Sequence, residues 1–248
     1  VTILDAAPEG SELVCNIEIQ NHAGHKLPTG YPTRRVWLHV TAKDAAGAVV
    51  FESGGYDARG SIVDAAGEPI ASSSPEPHRD RITDSSEVLI YEMVPIDRDG
   101  GLAHRPLASA TIGKDNRLLP DGWGNFYAWL DWIRPRGVDG DENFVGGSDR
   151  VEVRVPGGAD VARVEVELLY QNISPEELDR LARVPTPAAV RFVHATAACD
   201  PVECSGPGVA DAPNADALFQ PDRIHPLAAA HPRILANIYA VLKPWLMR

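Results

Sequence analysis

The chain has little sulfur, no excess of positive charge and no long apolar run. Only three cysteines and two methionines occur in 248 residues. A formal net charge of −12 argues against nucleic acid and against an anionic membrane as partners, since both demand a basic face. No apolar stretch approaches the ~20 residues of a membrane-spanning helix. The Gly-x-Ser-x-Gly elbow, the Walker loop, the dinucleotide fingerprint and His-Glu-x-x-His are all absent. No spacing of Ser, His and Asp singles out a triad, so catalysis by this chain alone has little support.

What is present reads as β-structure. With 44% hydrophobic and 23% charged residues, the composition is that of a globular protein with one large or two small domains. Apolar residues alternate at Leu13, Cys15, Ile17 and Ile19, at Val36, Leu38 and Val40, at Val151, Val153 and Val155, and at Val164, Val166, Leu168 and Tyr170. This is the period of strands with one dry face. Ala48-Val49-Val50-Phe51 and Val88-Leu89-Ile90-Tyr91 are apolar on both faces, as central strands are. Asp44-Ala45-Ala46-Gly47 and Asp64-Ala65-Ala66-Gly67 carry turn chemistry, and Pro156-Gly157-Gly158 separates two alternating runs as a hairpin loop does.

These signals predict a mainly β fold, an antiparallel sandwich of immunoglobulin-like type with long loops, over residues 1–172. Residues 173–248 are expected to add three pieces. The first is a short helix opened by Ser174-Pro175-Glu176-Glu177, with Glu177 closing a capping box. An extended Pro/Ala-rich arm follows from Pro185 to about Pro226. A terminal amphipathic helix then carries Ile234, Leu235, Ile238, Val241 and Leu242 on one face. The opening Val1-Thr2-Ile3 reads as a processed or truncated start. Cys15 lies on a dry face and reads as a small buried hydrophobe. Cys199 and Cys204, in a loop rich in Pro, Asp and Gly, suit a short disulfide, which favours a periplasmic or extracellular location.

The most chemically specific stretch is Asn21-His22-Ala23-Gly24-His25-Lys26-Leu27-Pro28-Thr29-Gly30-Tyr31-Pro32-Thr33-Arg34-Arg35. Gly and Pro fix an irregular path, which side-chain hydrogen bonds must hold. Set into it are two imidazoles, an ammonium and two guanidinium groups. A neutral imidazole is a common transition-metal and axial haem ligand. His22, His25 and His78 are therefore candidate metal ligands, with hydrogen bonding of His25 and Lys26 to their own loop as the structural alternative. Arg34, Arg35, Arg79 and Arg81 read either as surface charges or as a set that grips carboxylates bidentately.

This stretch, followed by Val36-Trp37-Leu38-His39-Val40, resembles the opening of the haem-free β-domain of bacterial multihaem c-type cytochromes. Three later stretches resemble that domain in the same order: Glu76-Pro77-His78-Arg79-Asp80-Arg81-Ile82 leading to Val88-Leu89-Ile90-Tyr91-Glu92, then Lys114-Asp115-Asn116-Arg117-Leu118-Leu119-Pro120, then Val166-Glu167-Leu168-Leu169-Tyr170-Gln171. One departure is large: without any Cys-x-x-Cys-His the chain cannot attach its own haem c. The resemblance implies an accessory domain or subunit of a multihaem cytochrome c electron-transfer assembly, itself no enzyme, working in the periplasm or outside the cell. It would shield haem c carried by a partner chain or by an N-terminal region missing here. His25 is the first candidate axial ligand and His78 the second, with Arg34, Arg35 and Arg79 as candidates for haem propionates.

Other readings stand beside it. A copper or other transition-metal-binding protein, or a metalloenzyme, would use His22, His25 and His78 as ligands. The turns around Asp97 and Asp99 and around Asp139 and Asp141 resemble fragments of calcium loops, although neither completes an EF-hand. Trp123, Phe126, Tyr127, Trp129 and Trp132 form an aromatic concentration that serves either as a plug in the core or as a platform for carbohydrate or another surface.

Overall fold

The computed structural model describes residues 1–70, 75–124, 133–196 and 201–204. Its strands are β1 (Thr2–Glu9), β2 (Glu12–Gln20), β3 (Arg35–Lys43), β4 (Val49–Ser53), β5 (Gly55–Tyr56), β6 (Ile62–Val63), β7 (Arg81–Ile82), β8 (Ile90–Ile96), β9 (Thr111–Asp115), β10 (Ser148–Pro156), β11 (Arg163–Gln171) and β12 (Glu203–Cys204). One sheet runs β1-β2-β10-β7, and the larger runs β12-β11-β3-β8-β9, with β4 pairing the far half of the β3 edge that β8 also uses. Every pairing in these sheets is antiparallel except the short β7–β10 contact. The fold is mainly β and consistent with the expected sandwich.

The alternating runs explain how the sheets meet. Cys15, Ile17 and Ile19 of β2 and Val151, Val153 and Val155 of β10 point into one core, against Val36, Leu38, Val40 and Ala42 of β3 and Leu168 of β11. A strand places every second side chain on the same face, so these four strands need no further signal to find their partners. Cys15 is fully buried with a free thiol, as its place in the alternation implies.

β3 is dry on both faces. Trp37 points away from the main core into a second cluster with Ile62, Val88, Ile90 and Leu169. Its indole N–H donates to the Gly54 carbonyl at 2.9 Å. Val88 to Tyr91 are all buried, as a doubly covered segment requires.

Four expectations need correction. Val49 and Val50 are 52% and 45% exposed, because β4 pairs only with β3 and forms an edge strand rather than a central one. Pro156-Gly157-Gly158 is no hairpin loop. β10 and β11 belong to different sheets, so this segment carries the chain from one sheet to the other, with Gly158 tight against the Glu12–Leu13 backbone.

The arm expected after Pro185 contains a second helix. The first, α1 (Pro175–Ala182), is capped by Ser174, whose hydroxyl accepts from the Glu177 amide. α2 (Pro187–Thr196) follows, with the Thr186 hydroxyl accepting from the Ala189 amide. A cap, a Pro at the first position and an Ala-rich turn outweigh the Pro content that suggested extension. Glu177 turns its carboxylate to His104 instead of closing a capping box. β12 then pairs with β11 and extends the larger sheet. Cys199 and the expected terminal helix lie outside the described residues, so the Cys199–Cys204 pairing does too.

Candidate functional site

The Asn21–Arg35 loop leaves the end of β2 and enters β3, and its polar residues hold it in place. Asn21 is buried: its amide Nδ2 donates to the carbonyls of His25 (2.9 Å), Leu118 (3.1 Å) and Leu119 (3.1 Å), while Oδ1 accepts from the Ala23 amide at 3.0 Å. Leu27 and Leu118 exchange backbone hydrogen bonds, and the Leu27–Pro28 peptide is cis. Lys26 is drawn inward to Asp115 at 2.7 Å, with side-chain exposures of 10% and 8%. Asp115 also receives Arg117 through two bonds of 2.7 and 2.9 Å. Burial raises the Asp115 pKa, but Arg117 and then Lys26 outweigh it and hold the carboxyl below its usual range. For Lys26 the balance falls the other way, because burial outweighs its single carboxylate and lowers the ammonium's pKa.

The four stretches named in the sequence are bonded to one another. Asn21 and Lys26 of the first bind Leu118, Leu119 and Asp115 of the third. His78 of the second is held by Asn116 of the third at 3.0 Å. Arg35 of the first donates to Gln171 of the fourth at 2.8 Å. Most of the unusual polar residues of these stretches therefore build one interlocked unit.

His25 is half-buried beside this unit, its Nδ1 3.0 Å from the Lys26 carbonyl. A carbonyl only accepts, so Nδ1 carries a proton. His22 is exposed. Arg34 donates to the Thr29 carbonyl (2.9 Å) and to Asn172 (3.2 Å). Among the described residues no carboxylate lies within ion-pair distance of Arg34 or Arg35, whereas Arg79 binds Glu76 and Glu87 and Arg81 binds Glu152. Arg35 lines a cavity of about 540 Å³, together with Tyr31, Ile62, Ile90, Glu92 and Glu176. Burial lowers its pKa, with Glu92 and Glu176 opposing.

His78 sits in a different, nearly closed pocket. Its Nε2 is 2.9 Å from Asp141 Oδ2 and 3.8 Å from Asp149 Oδ2, and the three side chains are 3%, 5% and 0% exposed. The Phe144 ring packs edge-on to it at 5.2 Å. The tautomer follows from Asn116, whose Oδ1 accepts from the Glu92 amide at 3.0 Å while its Nδ2 donates to the Ile90 carbonyl at 2.8 Å. That fixes the orientation of the amide, so the second Nδ2 proton faces His78 Nδ1, which must accept. His78 is therefore neutral, protonated on Nε2, and donates to Asp141. Burial lowers its pKa accordingly, against the pull of Asp141.

Tyr91 donates its hydroxyl to Asp149 Oδ2 at 2.7 Å. Burial, followed by the Asp149 charge, raises the Tyr91 pKa well above normal. Burial also pushes the Asp149 carboxyl up to about 7, opposed by the Tyr91 bond. Among the described residues, His78, Asp141 and Asp149 form the one group of three with ligand atoms this close together, within 4.8 Å of one another; neither His22 nor His25 belongs to it.

Asp97 Oδ1 accepts from the Asp99 and Gly101 amides, each at 2.9 Å, and so closes a turn of the same design as those at Asp44 and Asp64. Asp139 is exposed on the turn that leads to Asp141. Of the aromatic concentration only Trp123 is described; it packs partly buried against the core, with the Lys26 ammonium 5.6 Å above its ring. Phe126, Tyr127, Trp129 and Trp132 lie outside the described residues. Asn116, Asp149 and Tyr91 were not singled out as site residues from the sequence. The signal that was available is that Asp149 and Tyr91 are polar groups at the start of β10 and on a strand that is apolar on both faces.

No family model matches the chain, and no curated protein matches it. Among solved structures it is similar to a penta-heme cytochrome c552 from Thermochromatium tepidum, at 18% identity and a TM-score of 0.45, over 73% of this chain. The match spans only 34% of that protein's length.

Proposed function

We propose that this chain is a haem-free β-domain of a multihaem cytochrome c electron-transfer assembly, packed beside haem groups carried by another chain or by another region of a longer protein. The observation behind this reading is the interlocking of the four stretches. Residues that resemble the cytochrome-associated domain at separate places in the sequence meet in the fold as one hydrogen-bonded unit, so the resemblance belongs to a whole domain rather than to scattered words.

Within that reading His25 is the axial candidate. Its Nδ1–H on a backbone carbonyl is an arrangement that orients metal-bound imidazoles. His78 is less suited to the role, being almost fully buried with the proton on Nε2. Arg35, without a carboxylate in ion-pair range among the described residues and facing a cavity, is the candidate for a propionate or another carboxylate. Arg79 is already committed to two glutamates. The chain's contribution would be to bury haem edges and set their polarity, with oxidation and reduction belonging to the haem carrier.

The test is purification from the native source, with the visible spectrum and the mass of every co-purifying chain recorded. A Soret band travelling with a Cys-x-x-Cys-His polypeptide, altered by His25→Ala but not by His22→Ala, supports the reading. A colourless chain without such a partner overturns it.

A further inference from the structure

We propose that Asp141 and Asp149 form a binding site for a hard divalent cation such as Ca²⁺, with His78 and Tyr91 orienting the carboxylates rather than ligating the ion. This site is separate from the His25 loop and does not depend on the haem reading.

The first observation is a charge that no cation among the described residues balances. Asp141 and Asp149 are buried to 5% and 0% side-chain exposure, and among the described residues neither pairs with a lysine or arginine. Their ionisable donors are His78, held neutral by Asn116, and the Tyr91 hydroxyl, and both are uncharged. Asp80 adds negative charge, acting on both His78 and Asp149. Lys114, the positive group that acts on His78, is anchored to Glu92 and to the Ile90 carbonyl at 3.0 Å each. Two buried carboxylates with only neutral donors carry a large desolvation penalty.

The second observation points to a ligand directly. Asp149 Oδ1 is buried with no hydrogen-bond partner. The Arg150 amide bonds Asn143 Oδ1 at 2.6 Å, although it also lies near enough to the Asp149 carboxylate to lower its pKa. The other carboxylate oxygens are held: Asp149 Oδ2 by Tyr91, Asp141 Oδ2 by His78 and Asp141 Oδ1 by the Asn143 amide at 3.0 Å. A vacant oxygen lone pair among fixed carboxylates is what a cation requires, and bonds from neutral donors are how coordinating carboxylates are aimed. Asp139, Gly140, Glu142 and Asn143 of the turn that carries Asp141 are exposed, as is Asp80, so the site lies close to solvent.

The ion's class follows from Asn116. With the His78 proton fixed on Nε2, the imidazole offers the site no lone pair, so the donors are oxygens. Oxygen donors favour Ca²⁺, Mg²⁺ or Mn²⁺ over Zn²⁺ or Cu²⁺.

The experiment uses chelator-stripped chain, Ca²⁺ as the stabilising probe and Tb³⁺ as the emissive one, since Tyr91 next to Asp149 can sensitise Tb³⁺ emission. Saturating Ca²⁺ is expected to raise Tm by roughly 5 °C, and Tb³⁺ emission to rise and be competed by Ca²⁺. Asp149→Asn should abolish both responses while being at least as stable as wild type without ions, because it removes an uncompensated buried charge. That second readout keeps the variant informative. Two results overturn the proposal: no response of wild type to Ca²⁺, Mg²⁺ or Mn²⁺, which leaves a proton to close the charge; or a Zn²⁺ response lost in His78→Gln, which makes the imidazole a ligand.

Discussion

Lys26 and Asp115, 89 positions apart, meet in an ion pair of 2.7 Å that is almost shut off from water. The two partners are not equivalent. Asp115 keeps a second cation, Arg117, bound through two nitrogens, whereas Lys26 has no other carboxylate partner among the described residues. Removing the carboxylate strands two cations, and removing the ammonium strands nothing. Asp115→Asn should therefore cost about 3–5 kcal/mol. Lys26→Met, which keeps the apolar stem, should cost about 1–2 kcal/mol. Denaturant midpoints of the two variants decide it: equal losses would mean that Arg117 does not compensate.

The same pair sets an acid limit. The folded Asp115 carboxyl titrates below its ordinary value of 3.8. A carboxyl whose folded pKa is depressed contributes stability that is complete above its unfolded pKa and is lost as pH falls through the folded one. Stability should thus be flat on this account at neutral pH and fall below about pH 4. Asp115→Asn should show a shallower fall than wild type between neutral and acidic pH. Parallel curves for the two proteins would remove Asp115 from the acid transition.

How much of this was legible in the sequence depends on the kind of signal. Ile17, Leu38 and Val153 announce their faces through alternation, because a strand's period is fixed by its covalent geometry. The turns at Asp44 and Asp64 are legible for a similar reason: Asp at the first position and Gly at the fourth are a local solution to a local problem. Val49 and Val50 misled, since an apolar pair does not say whether a neighbour will cover it. The alternation of Val36, Leu38 and Val40 puts Trp37 on the opposite face, and nothing local says that Ile62, Val88 and Ile90 will cover it. The His78 pocket was least legible, because Asp141 and Asp149 converge on His78 from more than 60 positions away and Asn116 reaches it from 38. No local pattern encodes that meeting.

Asn116 makes a claim about a proton that spectroscopy can read. With its amide locked by Glu92 and Ile90, His78 must accept at Nδ1 and donate from Nε2. Nitrogen-15 shifts of the His78 ring at neutral pH should show a pyridine-like Nδ1 and a protonated Nε2. Asn116→Asp, which sets a carboxylate against Nδ1 while Asp141 still accepts from Nε2, should leave both ring nitrogens protonated and lower stability by about 1–3 kcal/mol by facing the Ile90 carbonyl with an oxygen in place of a donor. A protonated Nδ1 in the wild type would refute the hydrogen-bond scheme of the whole pocket.

Asn21 is the cleanest test of what the loop's polar residues are for. Its Nδ2 serves three carbonyls, two of them in the Lys114–Pro120 stretch. Asn21→Ala leaves those carbonyls short of a donor inside the fold and should cost about 2–3 kcal/mol. Asn21→Asp keeps the shape but faces the same carbonyls with a negative charge, and should cost more than the alanine. If the loop's residues serve a partner rather than the fold, both variants will melt like wild type and differ only in co-purification. If they serve the fold, the ranking will be wild type, then alanine, then aspartate, in the isolated chain with no partner present.

Gly54 and Gly47 separate backbone strain from lack of room. Both have positive φ, 75° and 84°, a region that L side chains enter at about 1–2 kcal/mol. Around Gly47 a Cβ meets nothing within 4 Å, so Gly47→Ala should cost that strain alone. At Gly54 the added Cβ would lie 2.3 Å from the Leu38 carbonyl oxygen and 3.1 Å from Trp37 Cδ1. The Gly54 carbonyl is also the acceptor for the Trp37 indole. The backbone there cannot withdraw without opening β3 and the second cluster, so Gly54→Ala should cost about 2–5 kcal/mol and change the Trp37 fluorescence environment, which Gly47→Ala leaves untouched. Equal melting temperatures for the two alanines would mean that β3 yields where its burial on both faces says it is held.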